Sequence, residues 1–369
     1  MNACVRLEPP FDLASVPDTP GVFVIHIRGG EPYVSRTRLL RRRLKRLLEG
    51  STVAGRALRL AELATAVEYE PEPSALGLLL RQYWILRRFD PEGAARRMRL
   101  RAPVFVKVHL SNPWPRTSVS RRLSRSSSLC FGPFRNRTEA SRFEQQMLDL
   151  FQVRRCQEDL EPSPDHPGCI YGEMMKCLRP CQQAVSREEY AAETARLVRF
   201  LETHGRSLME SVAAARDRAS EALDFEQARV WHERWLRVRE AASLCGELAA
   251  PLGQLNGAAV LPGQAPGAVR LAVMLGGTWL DLIDFPVAPS GPAVSLDSRL
   301  RSLLGPLEAP RIPVQERAAH IALLAQWYYG AARDAEWRPF ASLESIPYRA
   351  LVRDISRAAS RMQGSLLPP

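Results

Sequence analysis

The stretch from Gly21 to Leu48 constrains this chain more tightly than any other. GVFVIHI (Gly21–Ile27) is a run of β-formers, RGGEP supplies a turn, and Tyr33-Val34 resume an extended segment. From Arg38 the period changes. Leucines at 39, 40, 44, 47 and 48 trace one stripe of a helix, with basic residues on the opposite face. This order predicts strand, turn, strand, helix. A second helix over Ser74–Phe89, stopped by Pro91, and a strand at Pro103–Leu110 complete a small α/β domain over residues 1–110.

The first helix carries the chain's charge surplus. Seven of the eleven residues from Arg36 to Arg46 are basic: Arg36, Arg38, Arg41, Arg42, Arg43, Lys45 and Arg46. On so few turns they repel one another unless counter-ions or phosphates neutralise them. The whole chain is net +11, which points to a polyanionic partner, nucleic acid before membrane. Only three of its 51 basic residues are lysine (Lys45, Lys107, Lys176), so base composition contributes to the total and clustering carries more weight. A solvated arginine-rich face is the alternative reading of the helix.

Further along, residues 111–135 read as a Ser/Arg/Pro-rich linker ending in CFGPF, and Thr138–Phe151 as a helix. Cys156, Cys169, Cys177 and Cys181 then follow as C-x12-C-x7-C-x3-C within a segment rich in Pro and Gly. Four thiols so close suit a tetrahedral or cuboidal metal centre. Zinc favours tighter knuckles, so the spacing leans towards iron–sulfur, with zinc and unliganded thiols as alternatives. Ser186 to about Leu244 reads as helical, opened by a Ser186/Glu189 capping box and interrupted only at Gly205. From Ala249 the composition turns to Gly, Pro and Val, with a hairpin about Gly276-Gly277 and helices near Val314–Arg333 and Tyr348–Gln363. The expected class is α+β multidomain: a small α/β domain over 1–110, linker and cysteine region over 111–185, a helical hairpin over 186–246, and a C-terminal α+β domain over 249–369.

Three of these segments, in order, resemble a known family. Gly21-Val22-Phe23 and Tyr33-Val34-Ser35-Arg36, followed by a helix with Arg43 in register, resemble the GIY-YIG nuclease module in the form found in the excision-repair subunit UvrC and its short relative Cho. Cys130-Phe131-Gly132-Pro133-Phe134 and the four cysteines resemble that family's middle region. Glu221-Ala222-Leu223 with Phe225, Glu226 and Ala228 resembles the UVR motif through which UvrC meets UvrB.

The resemblance implies metal-dependent phosphodiester hydrolysis with Tyr33, Arg43 and Arg36 in catalysis, and a glutamate on the second helix holding a divalent cation, Mg2+. This chain departs from the pattern. Phe23, Ser35 and Leu47 replace two tyrosines and a glycine, and Gly77 stands where the glutamate is expected. Without a carboxylate a hard cation loses its protein anchor. The favoured expectation is therefore a UvrC/Cho-like protein of nucleotide excision repair that grips DNA through Arg36, Arg38, Arg41, Arg42, Arg43, Lys45 and Arg46 without cutting it. The alternative is an active endonuclease whose cation sits on Glu70 or Glu72. The resemblance further implies a 4Fe-4S cluster on the four cysteines, and docking of a UvrB-like helicase on Leu223, Phe225, Glu226 and Ala228. Residues 249–369 are too few for the second nuclease domain and paired hairpins that follow in full-length UvrC. Asp354-Ile355-Ser356 echoes a catalytic aspartate and is read as coincidence. No run is apolar enough to span a bilayer and no leader pattern opens the chain, so a cytoplasmic location is expected.

Overall fold

The computed structural model describes residues 4–49, 60, 62–123, 128–265, 267–288 and 294–364. Among them the chain is α+β, with three antiparallel sheets. The first sheet has the order β1-β4-β2-β3, from β1 (Val5–Leu7), β2 (Gly21–Ile27), β3 (Tyr33–Thr37) and β4 (Ala64–Pro71). Helix α1 (Leu40–Leu48) closes one face: Leu40 and Leu44 pack with Phe23, Ile25, Val67 and Tyr69. Helix α2 (Ala75–Phe89) covers the other, where Leu76, Leu79, Leu80 and Tyr83 meet Val22, Val24 and Val34. Alternation along each strand supplies both faces. The expected strand–turn–strand–helix unit is present.

A short helix α3 (Ala94–Arg97) leads into β5 (Val104–Val108). That strand forms where the sequence predicts it but joins the second sheet, of order β6-β5-β7-β8, with β8 at Ala250–Pro251. Its partners β6 (Thr117–Ser120) and β7 (Leu129–Phe134) lie in the stretch read as linker. The serines and arginines there hid the alternation; Val106 and Phe131 are fully buried cross-strand neighbours. Gly132 is obligatory in β7. At φ +154° an added Cβ would lie 2.8 Å from both Phe105 and the Val104 carbonyl oxygen.

Helix α4 (Arg137–Leu148) is capped by Asn136 and packs on this sheet, before the cysteine segment with its short helix α5 (Ile170–Glu173). The helical stretch expected from Ser186 is three helices: α6 (Arg187–Glu202), α7 (Arg206–Glu221) and α8 (Phe225–Ser243). The predicted capping box opens α6. Gly205, at φ +84°, makes the first break, and Leu223, at φ +59°, the second.

The third sheet joins β9 (Gly257–Pro262), β10 (Ala268–Leu275), β11 (Thr278–Trp279), β12 (Ile283–Pro286) and β13 (Trp337–Pro339). Gly276 and Gly277, both at positive φ, make the predicted hairpin. Helices α9 (Leu296–Leu304), α10 (Val314–Tyr328) and α11 (Tyr348–Gly364) surround it; α9 had no counterpart among the predicted elements. Asp354 is not poised for chemistry. Arg338 grips both its oxygens, at 2.7 and 2.9 Å.

Helix α10 packs on α2, so one core runs from the first sheet through Tyr83 and Leu324 to Trp279 and Trp337. His320 lies at its centre. Its Nδ1 accepts from the Trp279 backbone N–H at 3.0 Å, the Tyr83 ring stands edge-on at 5.4 Å, and Arg87 with Glu316 lie beyond. Burial, with help from Arg87, lowers its pKa to about 4. The unfolded chain therefore binds the extra proton from pH 6.5 downwards while the folded chain refuses it until about pH 4. Stability is complete above pH 6.5 and falls with pH through that window, by up to about 3 kcal/mol. Urea titrations between pH 7 and 5 should show this loss, and His320→Gln should flatten it.

Candidate functional site: a nucleic-acid interface beside a filled carboxylate slot

In the β2–β3 register, Tyr33 faces Ile25, Ser35 faces Phe23 and Arg36 faces Val22. Tyr33 is therefore on the α1 side, its ring 6.1 Å from that of Phe23, and Arg43 lies half-buried on the helix covering this side. Arg36 is on the α2 side, where it donates to Gln82 Oε1 at 3.3 Å. The sheet thus separates Arg36 from Tyr33, although the two are neighbours in sequence.

The basic helix is open. Arg38, Arg42, Lys45 and Arg46 are exposed, and among the described residues only Arg42 of these has a carboxylate, Asp18, at 3.8 Å. Arg41 serves the fold instead, donating from Nε to the Val16 carbonyl at 2.6 Å. The arginines are not folded back onto acidic side chains.

The opposite holds at Gly77. It lies in the first turn of α2, whose N-cap Ser74 accepts from the Gly77 N–H at 2.8 Å. A Cβ at this position would lie 2.6 Å from Ser74 Oγ and run into the Glu72 carboxylate. Glu72 has turned back beneath the helix start. Its Oε1 accepts from the backbone and the hydroxyl of Ser74, both at 3.1 Å, and its Oε2 pairs with Arg270 of β10. Both side chains are fully buried, and Arg270 also reaches Asp284 at 2.8 Å. Burial raises the Glu72 pKa, opposed by Arg270 and the Ser74 bonds. The other carboxylate considered, Glu70, meets Arg81 at 3.3 Å. Asp334 closes the site by accepting from the Ala75 N–H at 2.6 Å. Sequence reasoning missed this lock because Glu72 and Arg270 are too far apart in the chain for any local pattern to join them.

The four cysteines are neighbours. Burial pushes the Cys177 thiol up to about 11, reinforced by the charges of Cys156, Cys169 and Cys181; Cys181 is raised by burial and by Cys169 and Cys156. Donors already face the sulfurs: the Arg179 N–H reaches Cys177 Sγ at 3.4 Å and the Arg154 guanidinium reaches Cys156 Sγ at 3.5 Å. Such donors stabilise thiolates. Met175, Arg179 and Gln183, all at positive φ, coil the backbone around them. Among the described residues no three His, Cys, Asp or Glu side chains form a ready coordination set, so the thiols are gathered but not closed into a polyhedron. An all-thiolate centre is the group this donor chemistry fits.

The third predicted site is the α7–α8 hairpin. Leu223 and Phe225 project at its tip, 73% and 67% exposed, with Asp224 capping α8. Glu226 pairs with Arg229 at 2.9 Å, whereas Trp231 and Trp235 are half-buried against the second core. The hairpin's apolar residues divide: the tryptophans further along α8 are anchored, and the tip is bare.

The model of the UvrC/Cho excinuclease middle domain matches residues 104–200, which hold β5, β6 and β7, the cysteine segment and most of α6. Across a wider span the chain is 25% identical over 230 residues to the UvrABC system protein C of Dehalococcoides mccartyi, covering 62% of this chain and 38% of that one. It is 26% identical over 220 residues to that of Sphingopyxis alaskensis (59% and 34%) and 29% identical over 235 residues to that of Nitratidesulfovibrio vulgaris (60% and 33%). No solved structure matches. The chain is UvrC-like, and it aligns with little more than a third of the length of these relatives. No helix among the described residues is long and apolar enough to cross a membrane.

The buried pair yields a stability test. Arg270→Met strands the Glu72 carboxylate in the core and should lower stability by about 3–5 kcal/mol. Adding Glu72→Leu should recover most of the loss, read as urea midpoints at constant slope.

Proposed function

We propose that this chain is a DNA-holding component of nucleotide excision repair, with a GIY-YIG-like module that grips the phosphate backbone and does not cut it. The grip rests on α1. Arg38, Lys45 and Arg46 stand in solvent without carboxylate partners among the described residues, beside Arg42 and Arg43. The observation that argues against incision is the Glu72–Arg270 pair beneath Gly77. A cation entering there would meet a guanidinium already holding the carboxylate. The separation of Arg36 from Tyr33 points the same way.

In this reading Cys156, Cys169, Cys177 and Cys181 would hold a 4Fe-4S cluster, with zinc as the other all-thiolate option. When bound, the group would cross-link an irregular segment and could exchange an electron. Leu223 and Phe225, with Glu226 and Ala228 behind them, would seat the helices of a UvrB-like helicase. The second reading, an active endonuclease using Tyr33, Arg43 and Mg2+, requires Glu72 or Glu70 to leave its arginine.

Duplex binding should weaken with salt, and Arg42→Gln with Lys45→Gln and Arg46→Gln should reduce the log–log slope by about two to three. A damaged duplex supplied with Mg2+ and the partner helicase should stay intact. Nicking that Tyr33→Phe abolishes would establish the second reading. As for the cysteines, anaerobically purified protein should carry iron and sulfide, and Cys177→Ser should lose both; zinc in their place would identify the other centre.

A further inference from the structure

The basic residues of α1 are not the chain's only unneutralised cluster. A cleft of about 590 Å³ opens where the first, second and third regions meet. Arg99 and Arg101 enter it from the connection between α3 and β5, Arg121 from the end of β6, and Arg135 from the junction of β7 with α4. Helix α10 and Tyr329 form the facing wall. All four arginines are exposed, no carboxylate lines the cleft, and none of the four has an ion-pair partner among the described residues. Arginines that brace the fold do meet acids: Arg87, Arg155, Arg270, Arg301 and Arg338 are all paired.

The cleft is also held in shape. The Tyr329 hydroxyl donates to the Pro133 carbonyl oxygen at 3.0 Å, tying the α10 wall to β7. Arg99 sits at φ +53°, a conformation side-chain-bearing residues seldom adopt, and the Arg99 and Leu100 N–H groups close α3 with bonds of 2.9 and 3.0 Å. Asn136, at the rim, caps α4 by accepting from the Glu139 N–H at 2.9 Å and donates to the Glu139 carboxylate at 3.2 Å, so that acid offsets the helix end and the positive field of the cleft is that of its guanidiniums. Four like charges around one concavity repel, and the arrangement stabilises only when an anion enters.

We propose that this junction is a second phosphate-binding site, taking the phosphodiester backbone of DNA in addition to the α1 surface. The volume accommodates a short run of backbone rather than a lone ion, and guanidinium forks match phosphate oxygens two at a time. The inference rests on the proposed DNA partner but not on α1, and the two can fail separately.

The test uses the full chain, fluorescently labelled duplex and single-stranded oligonucleotides, and binding followed across a salt series. Arg101→Gln with Arg135→Gln should weaken duplex or single-strand binding about tenfold at moderate salt and reduce the slope by about two. The corresponding lysine pair should restore most of both, which separates charge from misfolding. Wild-type affinity and slope in the glutamine pair, with both lowered by the α1 substitutions, would overturn the cleft and leave the DNA-holding reading intact. Loss in the glutamine pair with no loss from the α1 substitutions would support the cleft and overturn the α1 grip. A lysine pair as weak as the glutamine pair would overturn the electrostatic role. Cleft-dependent binding to phosphatidylglycerol vesicles, with no binding to either oligonucleotide, would assign the cleft to an anionic surface and overturn the proposal. Absence of all binding would overturn both readings.

Discussion

The Glu72–Arg270 ion pair is the contact around which this molecule is arranged. It joins the first region to the third with both partners out of solvent, an arrangement that holds only if the remaining polar atoms are satisfied. Ser74 supplies two hydrogen bonds to the carboxylate and Asp284 a second acceptor for the guanidinium. Around this pair lies a continuous apolar core through α2, β9, β10 and α10, with Arg87–Glu316 at its far side. The third region is therefore built into the fold as a wall against α2.

That wall changes what α2 can do. The start of the helix is where backbone N–H groups and a nearby carboxylate could face a ligand. Here Ser74 caps Gly77, Asp334 caps Ala75, and Glu72 occupies the volume a side chain at position 77 would need. Glycine at 77 is then a packing requirement, the counterpart of the carboxylate folded beneath it. Glycine at 77 and the buried pair are one arrangement seen from two sides: a side chain at 77 would demand that Glu72 move, and Glu72 cannot move without uncovering Arg270.

The local signals in the sequence translated into structure where the rule was local. Periodicity located β2, β3 and α2, the Ser186–Glu189 box opened α6, and paired glycines turned the β10–β11 hairpin. Legibility ended where the deciding contact was distant. The strands β6 and β7 lie in a stretch that reads as linker, and only pairing with β5 makes them strands. Leu223 is read from the sequence as a docking residue of the helical hairpin, and its left-handed backbone, which no local pattern announces, ends α7 and turns the chain back. The candidate site was half readable. The basic face of α1 is a property of one segment, whereas the division of Tyr33 from Arg36 is a matter of strand register, and the occupant of the Gly77 slot comes from the other end of the chain.

The distribution of arginine ties these observations together. A chain with net charge +11 has to leave some cations unpaired, but nothing in that surplus dictates where. Random placement would scatter them, and solvent would screen each over about 10 Å. The arginines that brace the interior meet acids, and among those without an ion pair in the described residues are groups at α1 and around the three-region cleft. Each gathering raises the electrostatic cost of the free protein, and that cost is relieved by a polyanion but by no small neutral ligand. On the proposed reading, a fold that fills the slot beneath Gly77 with a guanidinium-held carboxylate while keeping basic surfaces open would hold phosphates rather than activate water against them.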